Sequence, residues 1–194
     1  WMNVGGSISA DLRAVDATST SIVWAAGNGG KVYRSTNGGT SWSDVSTTAG
    51  SDILAIDVLS STSAVIGGTL NRAEKTTASG ATWTTFATIT GFSSSETIVD
   101  YSFWTSSSGS ATGSEGSIAT TGDAAGTWTA DTVTFATTPA ITDSATPSVG
   151  VRYVVGEAGF VALYDNYGPT APSDLTVDGD ATDADYTQST TPTL

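Results

Sequence analysis

Four aspartates recur along the chain at nearly constant spacing: Asp16, Asp57, Asp100 and Asp143 are separated by 41, 43 and 43 residues. Each lies near the end of a short apolar run that predicts the first strand of a repeated unit. Carboxylate oxygens gathered by such strands would suit a cation or another polar ligand. The alternative is that each aspartate caps a turn or accepts a hydrogen bond from the backbone of a neighbouring unit. Under either hypothesis, neighbouring carboxylates need hydrogen bonds, cations or raised pKa values to coexist.

A second set of carboxylates lies near the C-terminus, among threonines and prolines. Its members are Asp178, Asp180, Asp183 and Asp185. This segment is expected to be a solvated acidic linker. The alternative is a calcium site built from hard oxygen ligands, although the spacing lacks the glutamate that closes an EF-hand loop. Apart from that calcium alternative, the sequence predicts no cofactor.

A short motif of hydroxyl, carboxamide or carboxylate, glycine and aromatic residues marks a repeat. Its copies cover residues 35–42, 76–83, 121–128 and, in a degenerate form, 164–171, and Trp1 has the character of the last residue of an earlier copy. The final positions of successive copies are 41, 41, 45 and 43 residues apart. A period in this range indicates a repeat architecture whose units bury their apolar faces against their neighbours.

Each unit contains four short β-rich runs separated by glycine, asparagine and serine. A glycine stands eight residues before every copy of the motif, at positions 27, 68, 113 and 156. Two runs precede that glycine, one follows it, and the fourth starts at the aromatic residue of the motif. Because the spacing from glycine to motif is constant, the extra residues of the third and fourth units are expected between their first and second strands.

Four antiparallel strands in about 40 residues predict the blade of a β-propeller. The chain is therefore expected to be all-β, a propeller or an arc of one, with about four four-stranded blades and the motif on the hairpin between the third and fourth strands. The predicted blades cover residues 10–47, 52–89, 97–135 and 140–177, in a repeat region at 1–173 followed by an acidic tail at 174–194. Residues 1–4 predict the last strand of a preceding blade, so further blades or identical chains are expected to complete a ring.

The motif resembles the Asp-box of the BNR-repeat family, S/T-x-D-x-G-x-T-W, over residues 1–171, with Asn37 where aspartate is usual. That family includes sialidases, sortilin-like receptors and the assembly-factor propellers of photosystem II. The resemblance implies that the box closes a hairpin away from the central ligand face and that its tryptophan packs between blades. Chemistry supports the same role, because Asn or Asp bonds its own turn backbone and glycine tolerates positive φ. Asn37 and Asp123 are therefore expected to be structural.

The sequence lacks the groups that catalysis in a sialidase-like propeller requires. The resemblance implies three arginines around the substrate carboxylate, a tyrosine–glutamate pair and an aspartate. The four arginines here are Arg13, Arg34, Arg72 and Arg152, and the last three fall on second or third strands, away from the predicted channel. Cysteine and histidine are both absent, which excludes thiolate chemistry and the commonest general base. The chain is expected not to be an enzyme.

The charge balance excludes several classes of partner. Asp and Glu number 19 against 6 Lys and Arg, a net charge of −13. Phosphate binding needs clustered cations, so neither nucleic acid nor an anionic membrane surface is an expected partner. No apolar run approaches the roughly 20 residues that a spanning helix requires. An aspartate-rich, lysine-poor composition favours exposure to high salt, as in a halophilic host, or to the outside of a cell or particle; an ordinary acidic cytosolic domain is the alternative.

These observations favour a non-enzymatic structural or adhesive propeller on a virion or extracellular surface. Its expected partners are other subunits of a surface assembly or virion, identical chains, and glycans or a surface layer of a host. One alternative is a fragment of a sialidase-like glycoside hydrolase propeller whose catalytic residues lie outside this chain. The other is a propeller that resembles the assembly factors. The assignment of the chain to a virion surface rests on analogy of fold.

Overall fold

The computed structural model describes residues 2–6, 8–85, 89–131, 140–148 and 150–165. Within those ranges, fifteen strands form four antiparallel sheets, and two short 3-10 turns lie at Asn28–Gly30 and Glu157–Gly159. None of the helical segments in these ranges is long and apolar enough to span a membrane. The predicted acidic tail with Asp178, Asp180, Asp183 and Asp185, and the last part of the predicted fourth blade, residues 166–177, lie outside the described residues.

Each sheet is a meander in which consecutive strands pair, and we call the sheets blades 1 to 4. Blade 1 contains β1 (Leu12–Ala17), β2 (Val23–Gly27), β3 (Val32–Ser35) and β4 (Ser43–Asp44). Blade 2 contains β5 (Ile53–Val58), β6 (Ala64–Gly68), β7 (Arg72–Thr76) and β8 (Thr84–Thr85). Blade 3 contains β9 (Ile98–Phe103), β10 (Gly109–Gly113), β11 (Ile118–Thr121) and β12 (Thr129–Ala130). The described part of blade 4 contains β13 (Ile141–Ser148), β14 (Val151–Gly156) and β15 (Val161–Asp165).

The repeated glycine at the end of each second strand is required by close approach of another part of the chain. A Cβ atom on Gly27 would lie 2.0 Å from the carbonyl oxygen of Asp11, and one on Gly68 would lie 1.9 Å from that of Asp52. Both contacts are with the segment that leads into the first strand of the same blade. In blades 1 and 2 the glycine therefore lets the start of the first strand pack directly on the second strand.

The cores lie between consecutive blades. Trp24, Val32 and Ile66 are fully buried between blades 1 and 2, where Trp24 meets Trp83 edge to face at 6.2 Å. A second cluster around Val65, Ile98, Tyr101 and Trp128 joins blades 2 and 3, and a third around Ile118, Ile141 and Val154 joins blades 3 and 4. No blade buries both faces by itself, which is how repeats are stabilised by their neighbours. The predicted fold class, an open arc of propeller blades, is confirmed.

The structure corrects the predicted position of the extra residues in the longer units. The first residue of each first strand pairs with the glycine fifteen positions later in all four blades. The prediction that the insertions lie between the first and second strands is therefore wrong. The extra residues lie between the last strand of one blade and the first strand of the next. Ahead of β9 this longer connection contributes Ile89 and Phe92 to the core, which gives the insertion a packing role.

Candidate functional site

The first strands of the blades form a row along the inner side of the arc. β1 packs against β5, β5 against β9, and β9 against β13. In a propeller this row lines the central channel, where ligands and catalytic groups are placed. The predicted ligand residues Asp16, Asp57, Asp100 and Asp143 all lie on it.

One side-chain position on the inner strand joins each blade to the next. Asp16 Oδ2 accepts a hydrogen bond from the backbone N–H of Val58 in blade 2, at 2.6 Å. Asp57 Oδ2 accepts the equivalent bond from Phe103 in blade 3, at 2.9 Å. Val58 and Phe103 each end the first strand of their blade. The contact is therefore a repeated blade-to-blade bond of the kind that the alternative hypothesis for these aspartates describes.

Blade 3 makes the same bond with a different residue. The position equivalent to Asp16 and Asp57 is Ser102, whose hydroxyl accepts a hydrogen bond from the backbone N–H of Thr146 at 3.0 Å. In blade 4 the equivalent residue is Ala145, which has no side-chain acceptor. We call Asp16, Asp57, Ser102 and Ala145 the link position.

Asp100 and Asp143 do not occupy the link position. Asp16 and Asp57 pair with the residue three before the glycine that ends the second strand, whereas Asp100 and Asp143 pair with the residue directly before that glycine. The nearly equal sequence spacing arises because the longer connection ahead of β9 offsets this two-residue difference. The four aspartates therefore lie on one row but at two levels. Their role in binding a ligand or cation stays a prediction.

The level that contains Asp100 and Asp143 joins blades 3 and 4 through polar side chains. Asp100 Oδ2 accepts a hydrogen bond from the Ser144 hydroxyl at 2.6 Å, and that hydroxyl in turn accepts one from Thr112 at 3.0 Å. Asp143 is exposed, and its Oδ1 accepts the backbone N–H of Ser144 at 2.8 Å. Asp100 is thus held by the neighbouring blade, and Asp143 is the member of the row that faces solvent most openly.

Two carboxyl groups of the row have strongly altered proton affinity. Burial raises the pKa of Asp57 to about 7, with a further increase from Asp16, against the opposing effect of the Phe103 N–H. Burial also raises the pKa of Asp100 to about 7, with Asp143 and Asp57 adding to the increase and the Ser144 hydroxyl opposing it. Groups of this kind can hold a proton at neutral pH.

The motif hairpins form closed hydrogen-bond networks. In blade 1 the Asn37 side chain bonds the backbone N–H and the hydroxyl of Ser41, while the Ser35 hydroxyl accepts the N–H of Gly39 at 2.9 Å. In blade 3 the backbone N–H and hydroxyl of Thr127, followed by other bonds within the hairpin, lower the pKa of Asp123 to about 2. These side chains satisfy the backbone of their own turn, in agreement with the structural role expected for Asn37 and Asp123.

The six cations all contact groups of the fold. Lys31 pairs with exposed Asp44 at 3.2 Å, and Arg13 donates to Asn28 at 3.1 Å. The other four reach neighbouring blades, connections or strands: Arg34 donates to the Ser61 carbonyl, Arg72 to the Ser51 carbonyl and buried Glu74, Lys75 to the Ala124 carbonyl, and Arg152 to Asp131. The arginines predicted to lie away from the channel, Arg34, Arg72 and Arg152, are on β3, β7 and β14. They do not converge on one point as a carboxylate-binding fork would.

A buried carboxylate that sequence reasoning did not single out is Glu96, in the connection ahead of β9. Its side chain is 1% exposed and accepts backbone N–H groups of Ser93, Glu115 and Ser117 at 3.1–3.3 Å. A Cβ atom on Gly113 would overlap Glu96 Oε1, so the glycine makes room for the carboxylate. Nothing in the spacing of Glu96 distinguishes it; the signal was a lone acidic residue in a serine-rich insertion.

In the described ranges, no three or more acidic, histidine or cysteine side chains are grouped as a metal site. The second predicted set, Asp178, Asp180, Asp183 and Asp185, is outside those ranges. The calcium hypothesis for this second set, like the cation or polar-ligand hypothesis for the inner-strand aspartates, therefore stays a prediction.

Comparison with known proteins identifies the fold and leaves the family open. No family model matches the chain, and no curated protein matches it. Among solved structures it is similar to YCF48 bound to D1 peptide, at 13% identity over 82% of this chain and 64% of that chain, with a TM-score of 0.56. It is also similar to the WD40 β-propeller domain of Doa1, at 16% identity over 81% and 52%, with a TM-score of 0.58. A third is the GH74 enzyme of Niastella koreensis, at 19% identity over 80% and 28%, with a TM-score of 0.61.

The chain spans less than two thirds of the length of each of these proteins. Identities this low establish a shared β-propeller architecture, which hosts many unrelated functions.

Proposed function

We propose that this chain is a non-enzymatic binding module, a structural or adhesive propeller of the Asp-box type that acts on a virion or extracellular surface. Its partners would be protein segments of a surface assembly, or glycans and proteins of a host surface layer. The observation that carries the proposal is the use of the inner-strand side chains. Asp16 and Asp57 bond the backbone of the next blade, and Asp100 bonds Ser144. These bonds join consecutive blades, which supports a structural role for the three carboxylates.

The surface charge supports a partner that is neutral or basic. With the cations engaged in internal contacts and a net charge of −13, the chain repels anions. The motif hairpins and the turns between first and second strands lie at one end of the antiparallel blades. At the other end, exposed carboxylates stand beside the second-to-third-strand turns and the start of β1: Asp11, Glu115 and Glu157. We call the end that carries the second-to-third-strand turns and these three carboxylates the turn face. It is the part of the described surface best suited to a partner.

Protein recognition has a parallel among the structural neighbours. YCF48 was solved bound to D1 peptide, and it shares the propeller architecture with this chain. At 13% identity the likeness supports the capacity of the fold to present a peptide-binding surface, and it does not transfer the peptide itself.

Binding to a panel of host-surface glycans, surface-layer proteins and lysine-rich peptides tests the proposal, with product release measured in the same samples. We expect saturable binding without release of sugar, and at least about tenfold weaker binding by a variant with Asp11→Asn, Glu115→Gln and Glu157→Gln, because the partner would be attracted by the turn face. Asp123→Asn, on the motif hairpin at the opposite end, is the control and should bind normally, because Asn37 holds the same place in blade 1. Absence of binding at every ionic strength from low to molar salt would contradict the adhesive role, and release of sugar would contradict the non-enzymatic one.

A glycoside hydrolase is the second candidate, and one observation favours it. Asp57 and Asp100 lie on adjacent inner strands, and burial raises the pKa of each to about 7. A carboxyl group protonated near neutral pH is what a glycosidase general acid requires. If the chain is a glycoside hydrolase, the assay above should detect release of sugar, and Asp57→Asn or Asp100→Asn should abolish that release.

A further inference from the structure

The blade-to-blade interface has a repeated apolar position on the side that faces the next blade. It is occupied by Val32, Ala73 and Ile118 in blades 1 to 3, which pair in the same way with their second strands and are 0%, 3% and 3% exposed. The equivalent residue of blade 4 is Val161, and it is 48% exposed. Blade 4 therefore carries the same kind of interface as the other blades, but the described structure leaves it uncovered.

The side that faces the preceding blade shows the same pattern in reverse. Ile56 of blade 2 and Tyr101 of blade 3 are 8% and 4% exposed, because blades 1 and 2 cover them. Val15 holds this position in blade 1 and is 70% exposed. An isolated exposed valine needs no explanation, but here both ends of the arc expose residues whose counterparts are buried interface.

Residues 2–5 lie where the outer strand of a preceding blade would lie. The indole N–H of Trp42 donates to the Val4 carbonyl at 2.7 Å, as that of Trp83 donates to the Val45 carbonyl at 2.7 Å. In both places the glycine of the motif leaves room for the same valine, since a Cβ atom on Gly39 would lie 2.8 Å from the Val4 side chain. Val4 therefore has the same position relative to blade 1 that Val45, which follows β4, has relative to blade 2.

The two ends of the arc are complementary. At one end, residues 2–5 and the exposed apolar face of blade 1 are placed to contact the inner strands of a preceding blade. At the other end, the described part of blade 4 has three strands and an exposed apolar face that suits a following blade. Applied once more, the relation between consecutive blades would place blade 4 of another copy directly ahead of blade 1.

The geometry points to head-to-tail association of two copies of this chain, in which the exposed face of blade 4 (Val155, Val161) packs on the face of blade 1 that carries exposed Val15 and half-buried Val23 in the partner. Residues 2–5 of the second copy then lie at the outer side of this junction, as Val45 does between blades 1 and 2. Because the contact joins two different faces, it forms a ring when the rotation between copies closes, and the smallest such ring has two copies. This interface continues the one already present between blades, so it needs no new kind of surface.

Cysteine cross-linking tests this association, since the chain has no cysteine of its own. At each internal junction the link position meets the residue directly after the link position of the next blade. The new junction therefore brings Ala145 of one copy to Ala17 of the other. We expect a mixture of Ala145→Cys and Ala17→Cys chains to form a disulfide-linked heterodimer as the main oxidised product. Neither variant alone should form a disulfide-linked homodimer to a comparable extent.

Light scattering after size exclusion provides the second readout. The wild-type chain is expected to have at least twice the mass of one copy, and either Val15→Glu or Val161→Glu should reduce the mass to that of one copy. Both side chains are exposed in the single chain, so neither variant should unfold it. Leu70→Glu, 68% exposed on a turn, is the control and should keep the assembly. A monomer at all concentrations, or an Ala17–Ala145 cross-link formed within one doubly substituted chain, would overturn the inference.

Discussion

Replacing Glu96 with alanine is expected to lower the free energy of unfolding by about 3–5 kcal/mol, because it removes the acceptor of three backbone N–H groups in a buried site. Two of those groups, from Glu115 and Ser117, belong to the turn between β10 and β11, and the third belongs to Ser93 in the connection ahead of β9. The connection would therefore lose its attachment to blade 3. Denaturant unfolding followed by tryptophan fluorescence measures the change.

Two further variants make this result specific. Glu96→Gln keeps an oxygen for two of the N–H groups but turns a donor towards the third, so we expect an intermediate loss of about 1–2 kcal/mol. Glu115→Ala removes an exposed carboxylate that accepts only the Ser93 hydroxyl, at 3.3 Å, and should cost less than about 0.5 kcal/mol. A loss in Glu96→Ala no larger than that in Glu115→Ala would contradict the assigned role.

Lowering the pH from about 8 to about 5 is expected to stabilise the protein, by about 3–5 kcal/mol in total. Burial raises the pKa of both Asp57 and Asp100 from 3.8 to about 7, so between pH 4 and 7 the folded chain binds more protons than the unfolded chain. The free energy of unfolding therefore rises as the pH falls through this window, since each tenfold change in proton affinity is worth about 1.4 kcal/mol. Below about pH 4 the trend should reverse, because the pKa of Asp123 is lowered to about 2 and its hairpin bonds depend on the carboxylate.

The variant with Asp57→Asn and Asp100→Asn identifies the source of this dependence. Asparagine keeps an oxygen for the Phe103 N–H and the Ser144 hydroxyl, so the bonds survive while the buried charge is removed. We expect the variant to be at least as stable as the wild type at pH 8 and to lose most of the slope between pH 8 and 5. The control, Asp11→Asn with Glu157→Gln, removes two charges from exposed positions and should keep the slope. A wild-type stability that stays flat or falls from pH 8 to 5 would contradict the burial of these two carboxyl groups.

The fold class was accessible from sequence because its signals are local. Each motif determines a hairpin within eight residues through its hydroxyl, its Asn or Asp, its glycine and its tryptophan. The spacing of Trp42 and Trp83 gives the length of the repeat directly. The glycines at 27, 68, 113 and 156 mark the end of each second strand for a similar reason. Short-range turn chemistry of this kind needs no knowledge of the rest of the chain.

The site was harder to predict because it depends on register between strands. Equal spacing suggested that Asp100 is the counterpart of Asp57, but the insertion ahead of β9 moves it to the other level, and Ser102 takes the link position. Counting back from the paired glycine, instead of from one aspartate to the next, would have found Ser102. Glu96 could not be found in this way, because its three donors come together only when the connection folds back on blade 3.

Backbone amide hydrogen exchange, measured residue by residue by NMR, tests most directly the claim that the inner-strand aspartates join consecutive blades. Asp57→Ala is expected to speed exchange at Phe103 by at least about tenfold while leaving Val58 unchanged, since a hydrogen bond to a charged group is worth about 1.5–3 kcal/mol. Asp16→Ala should do the reverse, and Asp57→Asn should protect Phe103 as the wild type does. Protection of Val58 and Phe103 that is unaffected by both alanine variants would contradict the account.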